Sequence, residues 1–138
     1  MLRGLSTVSL FADDVAAAAH WYTEVLGIEP YFVRPQDGPP AYVEFRIGDY
    51  QHELGVVDRR YEVSPRTEAA AGAVTYWHVD DVEATFERLL ALGATVHDKP
   101  MERGPGFVTA SVVDPFGNIL GVMYNQHYLS TLAALSHG

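Results

Sequence analysis

The second half of this chain repeats the pattern of the first half. Asp13-Asp14-Val15 recurs as Asp80-Asp81-Val82, each time after a strand-like segment and before an apolar helical stripe. A glycine, Gly27 or Gly93, follows each helical stretch. Aspartate favours helix N-termini, and glycine favours the position just past the C-terminal end. The repeat therefore predicts two copies of one unit that share a core, because a single copy cannot bury its own sheet.

Each copy is predicted to contain one strand, one helix and then three strands, which gives an α+β fold. In the first copy, residues 5–57, we expect the strand Leu5–Ala12, the helix Val15–Leu26 and the strands Ile28–Val33, Ala41–Ile47 and Tyr50–Val57. A two-residue turn at Gly48-Asp49 is expected to join the last two strands, because glycine suits the first central position of such a turn.

The second copy, residues 74–124, follows the same order. It is expected to begin on a strand over Ala73–Val79 and to continue with a helix from Val82 that carries Phe86, Leu89 and Leu90 on one side. A short strand Ala94–His97, a loop Lys99–Gly106 and a hairpin of Phe107–Val113 and Asn118–Tyr124 complete it. Residues 58–73 are predicted to be a connector and residues 125–138 a helical tail, so residues 1–138 form a single domain.

The residue types of Asp114-Pro115-Phe116-Gly117-Asn118 each favour a tight turn for a physical reason. The Asp114 side chain can accept hydrogen bonds from backbone N–H groups ahead of it, Pro115 fixes φ for the next turn position, and Gly117 tolerates the exit geometry. Apolar and β-branched runs flank the turn on both sides. This pattern predicts strand, tight turn and strand.

The charge balance disfavours two classes of partner. The net charge is −9, from 18 acidic residues against 9 lysines and arginines, and the longest basic run is Arg59-Arg60. A nucleic acid or an anionic membrane surface needs a basic face, so neither is expected as a partner. The chain has no cysteine, no long apolar signal core and no apolar run long enough to span a bilayer. We therefore expect a cytoplasmic protein.

Five phrases in the right order resemble one family. They are Phe11-Ala12-Asp13-Asp14-Val15, then Trp21-Tyr22-Thr23 with Val25-Leu26-Gly27, then His78-Val79-Asp80-Asp81-Val82, then Leu92-Gly93-Ala94, and finally Asp114-Pro115-Phe116-Gly117-Asn118. Together they resemble the vicinal oxygen chelate superfamily, which contains glyoxalases, bleomycin-resistance proteins and extradiol dioxygenases. The match covers about residues 5 to 124. The resemblance implies tandem βαβββ repeats that form a curved mixed sheet cup.

The resemblance also implies four metal-ligand positions, on the first strand of each half and on a later strand of each half. Carried onto this chain, these positions fall on Thr7, Glu53, Val74 and Gly121. Valine and glycine side chains have no donor atom and threonine is a poor ligand, whereas such sites use three or four histidines or carboxylates. We therefore expect no metal and no other cofactor.

Two polar residues remain as candidates for chemistry on the cup side of the strands. Glu53 and His78 are predicted to face inward and to form an acid–base pair, a rebuilt metal site with one more side chain, or a pair that only orients a ligand or satisfies the core. Aromatic candidates for the cup wall are Phe11, Phe32, Tyr42, Phe45 and Phe107, with Met123. The complete set of expected ligand-binding residues is Thr7, Ser9, Phe11, Tyr42, Glu53, Val74, Tyr76, His78, Phe107, Gly121 and Met123.

Three functions fit these features. The first is metal-free binding of a small hydrophobic or aromatic molecule in the cup, of the sequestration or resistance type. The second is a lyase, isomerase or dioxygenase-type enzyme that uses Glu53 and His78. The third is a structural or regulatory module with a vestigial cup. The family resemblance further implies a homodimer, as do the apolar tail positions Tyr128, Leu129, Leu132 and Leu135.

Overall fold

The computed structural model describes residues 1, 3, 5–62 and 74–136. The chain divides into two compact units, an N-terminal unit of residues 1–69 and a C-terminal unit of residues 70–138. Each unit is described by itself below. The predicted α+β class is confirmed, because each unit contains a four-stranded mixed sheet with a helix after its first strand.

The N-terminal unit follows the predicted strand–helix–three strands order. Its elements are β1 (Thr7–Ala12), α1 (Val15–Leu26), β2 (Phe32–Arg34), β3 (Tyr42–Ile47) and β4 (His52–Asp58), followed by a short 3-10 helix at Arg59–Tyr61. The strand order in the sheet is β1-β4-β3-β2. β1 runs parallel to β4, and the other neighbours are antiparallel.

The predicted bounds of α1 are confirmed, and the caps explain them. The Asp14 carboxylate accepts a hydrogen bond from the Ala17 N–H at 3.0 Å, and Gly27 ends the helix in the left-handed conformation with φ of 70°. The buried side of α1 packs on the sheet residues Val43, Phe45, Leu54 and Val56, which are at most 1% exposed. Phe45 therefore belongs to this core, and its prediction as a cup-wall residue was wrong.

The turn between β3 and β4 is longer than predicted. Ile47 pairs with His52, so four residues, 48–51, form the connection. Gly48 and Gln51 both have positive φ, at 76° and 54°, and the Gln51 N–H donates to the Gly48 carbonyl. The prediction of a two-residue turn at Gly48-Asp49 was wrong, and this change in loop length sets which side chains face each other across the hairpin.

The C-terminal unit repeats the connectivity of the N-terminal unit. Its elements are β5 (Tyr76–His78), α2 (Val82–Ala91), β6 (Thr95–Gly104), β7 (Phe107–Val113), β8 (Ile119–Asn125) and α3 (Gln126–Ser136). The strand order β5-β8-β7-β6 matches β1-β4-β3-β2 element for element, with β5 parallel to β8. The helical tail is thus confirmed over Gln126–Ser136. The Asp81 carboxylate caps α2 by accepting from the Ala84 N–H at 3.0 Å.

One predicted loop is a strand. Lys99–Gly106 was expected to be a loop, but β6 continues to Gly104 and pairs with β7 through several register shifts. Pro100 is compatible with this strand because β6 lies at the sheet edge, where a missing backbone N–H is tolerated. Residues 63–73 of the predicted connector lie outside the described part of the chain.

The predicted turn at Asp114 is confirmed. Asp114 is 3% exposed, and its carboxylate accepts hydrogen bonds from the N–H groups of Phe116 and Asn118 at 2.9 and 2.8 Å. The Asn118 side-chain amide donates to the same carboxylate at 3.0 Å.

Across the described residues, none of the helices has the length and apolar character needed to cross a bilayer.

Candidate functional site

Each sheet has one face covered by its helix and one face that points the other way, which we call the open face. In the N-terminal unit, strand alternation and ladder register place eleven residues on the open face: Thr7, Ser9 and Phe11 of β1, Glu53, Gly55 and Val57 of β4, Tyr42, Glu44 and Arg46 of β3, and Phe32 and Arg34 of β2. Among them are all five predicted site residues of this unit: Thr7, Ser9, Phe11, Tyr42 and Glu53.

Glu53 lies at the centre of a polar cluster on this face. The Thr7 hydroxyl donates to Glu53 Oε2 at 2.9 Å, and Arg46 Nη2 lies 3.7 Å from Glu53 Oε1. Both partners are direct cross-strand neighbours of Glu53, Thr7 on β1 and Arg46 on β3. Glu53 is therefore a carboxylate with two compensating partners rather than an isolated charge.

Glu44 is a second carboxylate on this face, and sequence reasoning missed it. The Tyr42 hydroxyl donates to Glu44 Oε1 at 2.5 Å. Partial burial, together with the negative charge of Glu53, raises the pKa of Glu44 above its usual value, against a lowering effect of Arg46. The same two causes, burial first, raise the pKa of Tyr42. Glu44 is two positions from Tyr42 on one strand, so strand alternation was the signal that pointed to it.

Aromatic rings border these carboxylates. The Phe32 and Tyr42 rings meet edge to face, with centroids 6.1 Å apart, and the Arg34 guanidinium lies 4.2 Å from the Phe32 centroid. The Tyr42 side chain also lies directly over Gly55, because a Cβ placed there would be 2.6 Å from the Tyr42 hydroxyl oxygen. The open face of the N-terminal unit thus combines two aromatic rings with two acidic groups.

In the C-terminal unit the ladder register brings the predicted residues Tyr76, His78, Phe107, Gly121 and Met123 to one face. On β8, Gly121 pairs with Tyr76 of β5 and Met123 pairs with His78 of β5. Asn125 of β8 pairs with Phe107 of β7. Tyr76 is 40% exposed, and its ring covers Gly121, where a Cβ would lie 2.8 Å from Tyr76 Cδ1. Val74 is half-buried and precedes β5.

The two glycines covered by tyrosine occupy equivalent positions of the repeat. Ser9 precedes the Asp14 cap by five residues, and Tyr76 precedes the Asp81 cap by five. Ser9 pairs with Gly55, and Tyr76 pairs with Gly121. The counterpart of Gly121 in the first unit is therefore Gly55, and the counterpart of Glu53 is the apolar Ile119.

His78 makes its contacts within the C-terminal unit. Its Nδ1 accepts a hydrogen bond from the Asn125 N–H at 3.1 Å, and its ring stacks on Tyr128 of α3 with centroids 4.6 Å apart and planes 8° from parallel. Its side chain is 8% exposed. Glu53 lies in the other unit, so an acid–base pair of Glu53 and His78 stays a prediction.

The residues at the implied ligand positions do not fit a metal. Val74 and Gly121 offer no donor atom, and the Tyr76 ring fills the space above Gly121. The one carboxylate of the set, Glu53, is engaged by Thr7 and Arg46. Within residues 1, 3, 5–62 and 74–136, no three histidine, aspartate or glutamate side chains lie close enough together to hold a metal ion.

Comparison with known proteins identifies a family. Residues 4–122 match the model of the Glyoxalase/Bleomycin resistance protein/Dioxygenase superfamily. A search of curated proteins found no match.

Solved structures show the same fold at low sequence identity. A superfamily member from Sphaerobacter thermophilus DSM 20745 is 17% identical, with a TM-score of 0.69 over 88% of this chain and 97% of the other. Lactoylglutathione lyase from Agrobacterium tumefaciens is 24% identical, with a TM-score of 0.64 over 89% and 94%. TioX from Micromonospora sp. ML1 is 21% identical, with a TM-score of 0.64 over 88% and 98%.

Proposed function

The chain belongs to the glyoxalase/bleomycin resistance protein/dioxygenase superfamily, and we propose that it binds a small hydrophobic or aromatic molecule on the open faces of its sheets without a metal ion. The binding sequesters the molecule, as in a resistance protein. Enzymes and binding proteins share this fold, so the residues of the open faces, rather than the fold, carry the proposal.

The observation that carries it is the pair of tyrosine-covered glycines. Gly55 and Gly121 are equivalent in the repeat, and each lies beneath a tyrosine ring, Tyr42 or Tyr76. A side chain at either glycine would overlap the tyrosine side chain. The absence of a side chain therefore lets the tyrosine ring lie against the strand backbone. Planar rings stack on such surfaces with favourable geometry, and pockets for small molecules are typically lined in this way.

The acidic groups beside Tyr42 support a further preference. Glu44 accepts a hydrogen bond from Tyr42, and Glu53 accepts one from Thr7. A carboxylate oxygen accepts more than one hydrogen bond, so either group can also receive an N–H or O–H of the ligand. The ligand we propose therefore has an aromatic ring for stacking and a donor for orientation.

A thermal-shift screen with planar aromatic antibiotics and aromatic metabolites tests the proposal. We expect a subset to stabilise the protein in chelator-treated buffer, since a ligand that binds only the folded state raises its melting temperature. Tyr76→Ala is expected to weaken the effect, whereas Tyr76→Phe keeps the ring and is expected to retain it. Absence of stabilisation by every compound, with a folded Tyr76→Ala protein, would remove the support for binding.

A second candidate function is metal-free acid–base catalysis of the lyase or isomerase type. The Tyr42–Glu44 pair favours it, because Glu44 has a raised pKa and lies on the same open face as Glu53. A raised carboxyl pKa suits proton transfer near neutral pH. In that case Glu44→Gln would abolish turnover of a bound compound while leaving its binding intact; equal turnover by the variant would exclude this role for Glu44.

We also propose that the chain forms a homodimer through its tail. α3 carries no Asp, Glu, Lys or Arg, and Leu135 is 62% exposed on it. Two copies of a chain with net charge −9 meet with less electrostatic repulsion through a surface that carries no acidic side chain. Light scattering at micromolar concentration is expected to give twice the chain mass; the mass of a monomer would contradict the proposal.

A further inference from the structure

The C-terminal helix α3 occupies a place that a ligand could take. We propose that α3 is a removable cover over a ring-stacking subsite at His78, and that Tyr128 holds the position of a planar ligand ring. The inference rests on the proposed function, namely that the open faces bind planar aromatic molecules. It adds a second subsite at His78 and the chemistry of the ligand that would bind there. It also identifies Tyr128 as a group of the same chain that competes with that ligand.

The geometry of the Tyr128–His78 contact is that of a ligand stack. The two rings are nearly parallel, at 8°, with centroids 4.6 Å apart, while Tyr124 contacts the same imidazole at an angle of 47° and 5.4 Å. The ladder register places His78 on the same face as Tyr76 and Met123. The His78 imidazole, on the edge strand β5, thus offers one face on which a flat ring can stack. In this structure the Tyr128 ring of the same chain stacks there.

The hydrogen bonding of His78 leaves one donor without an acceptor. Nδ1 accepts from the Asn125 N–H, so in the neutral ring the proton is on Nε2. Nε2 is buried, and among the described residues it has no hydrogen-bond partner. Asp80 Oδ1 lies 3.6 Å from Nε2, beyond hydrogen-bond distance, on a side chain that is 95% exposed. A buried donor without an acceptor is unfavourable, so the covered state is less stable than it would be with an acceptor present.

α3 is held mainly near its first turn. The Asn125 side chain accepts from the His127 and Tyr128 N–H groups, the Gln126 N–H donates to the Gly106 carbonyl, and the His127 ring contacts Phe107. No described residue of α3 is buried. Elements with few buried contacts open at lower free energy than the sheet beneath them, so α3 can lift while β7 and β8 stay paired.

The chemistry of the subsite defines the ligand class. A planar aromatic molecule with a hydrogen-bond acceptor at its edge, such as a ring nitrogen, would stack on the imidazole and accept from Nε2–H. Because Tyr128 competes for the same platform, the affinity of the intact chain is lowered by the fraction of molecules in which α3 covers His78. Removing the Tyr128 ring should therefore tighten binding instead of weakening it.

The test titrates wild type, Tyr128→Ala and the matched control Thr131→Ala with quinoline and with naphthalene, which has the same shape but no acceptor. We expect Tyr128→Ala to bind quinoline about threefold to tenfold more tightly than wild type, from the loss of one competing aromatic pair. Thr131→Ala, changed at an exposed position of the same helix, should match wild type. His78→Phe in the Tyr128→Ala background should keep stacking and lose the preference for quinoline.

The outcomes separate the two proposals. If quinoline binds wild type and Tyr128→Ala equally, or binds the variant less tightly, Tyr128 does not cover a ligand subsite and only the present inference fails. If neither compound binds any variant and the aromatic screen is also empty, the proposed function fails. In that case amide hydrogen exchange still decides whether α3 can lift from the sheet. The amides of residues 129–136 should exchange before those of β7 and β8. If they exchange only on global unfolding, α3 is not a removable cover.

Discussion

Replacing Gly121 with alanine is expected to destabilise the protein by about 1–3 kcal/mol, the usual cost of overpacking a well-packed site. The added Cβ would lie 2.6 Å from the Thr75 carbonyl oxygen and 2.8 Å from Tyr76 Cδ1. The Tyr76 ring can swing outward because the residue is 40% exposed. The Thr75 oxygen is backbone and accepts a hydrogen bond from the Gly121 N–H at 3.1 Å. The backbone at Thr75, just before β5, must therefore move, and that bond lengthens with it.

Two other glycines give matched controls for this substitution. A Cβ at Gly104 would meet no atom within 4 Å, so Gly104→Ala should be neutral or stabilising by up to about 1 kcal/mol, through the unfolded state. At Gly55 the crowded atoms all belong to the Tyr42 side chain. Gly55→Ala should therefore cost about 0.5–1.5 kcal/mol, the value of the Tyr42–Glu44 hydrogen bond. In a Tyr42→Ala background, the same Gly55→Ala change should have almost no additional cost.

Urea denaturation measures the series. With a slope of about 1–3 kcal/mol per molar urea, a loss of 2 kcal/mol moves the midpoint by about 0.7–2 M. Equal midpoints for Gly121→Ala and Gly104→Ala would refute the close approach of β5 to β8 at Gly121. A cost of Gly55→Ala that persists without the Tyr42 ring would refute the account of Gly55 as a seat for that ring.

Two further predictions concern buried or partly buried carboxylates. Because burial and the charge of Glu53 raise the pKa of Glu44 in the folded state, the folded chain holds more protons than the unfolded chain while pH rises from the usual glutamate pKa to the raised one, and stability falls over that range. The stability of Glu44→Gln relative to wild type should therefore increase with rising pH in urea titrations, and a pH-independent difference would contradict the sign. Asp114→Ala should cost about 1–3 kcal/mol, because the partly buried N–H groups of Phe116 and Asn118 lose their acceptor; a midpoint unchanged from wild type would show that water replaces the carboxylate.

Local signals were sufficient for the elements with strong caps. Asp14 and Gly27 bracket α1 in the sequence, and they are the observed N-cap and C-cap. The hairpin turn at Asp114 was likewise predictable, because its hydrogen bonds lie within four residues of that side chain. These features depend on short-range chemistry that the residue types alone specify.

Features that depend on strand register were not predictable. A two-residue turn at Gly48-Asp49 would have placed Glu53 opposite Glu44, whereas the observed four-residue turn places Arg46 opposite Glu53. Like charges facing each other across a ladder are unfavourable, and opposite charges are favourable. The turn length therefore decides which side chains build the polar cluster, and the sequence of the turn does not reveal it.

The same limit applies to the site positions carried over from the family resemblance. Counting along the chain placed Glu53 and Gly121 at matching positions, but the ladders pair Gly55 with Ser9 and Gly121 with the equivalent Tyr76. A shift of two residues keeps the same face of a strand, so alternation cannot detect it. The strand β6 was missed for a different reason, since Pro100 indicates a loop unless the strand lies at an edge.

The most direct test of metal-free binding is a titration of chelator-treated protein with the best compound of the aromatic screen, repeated with added Ni²⁺, Zn²⁺, Fe²⁺ or Mn²⁺. Protein purified without a histidine tag avoids metal carried by the tag. We predict the same affinity with and without each metal, and a loss of affinity in Tyr76→Ala that Tyr76→Phe does not show. Binding only after addition of a metal, at about one ion per chain, would contradict the account.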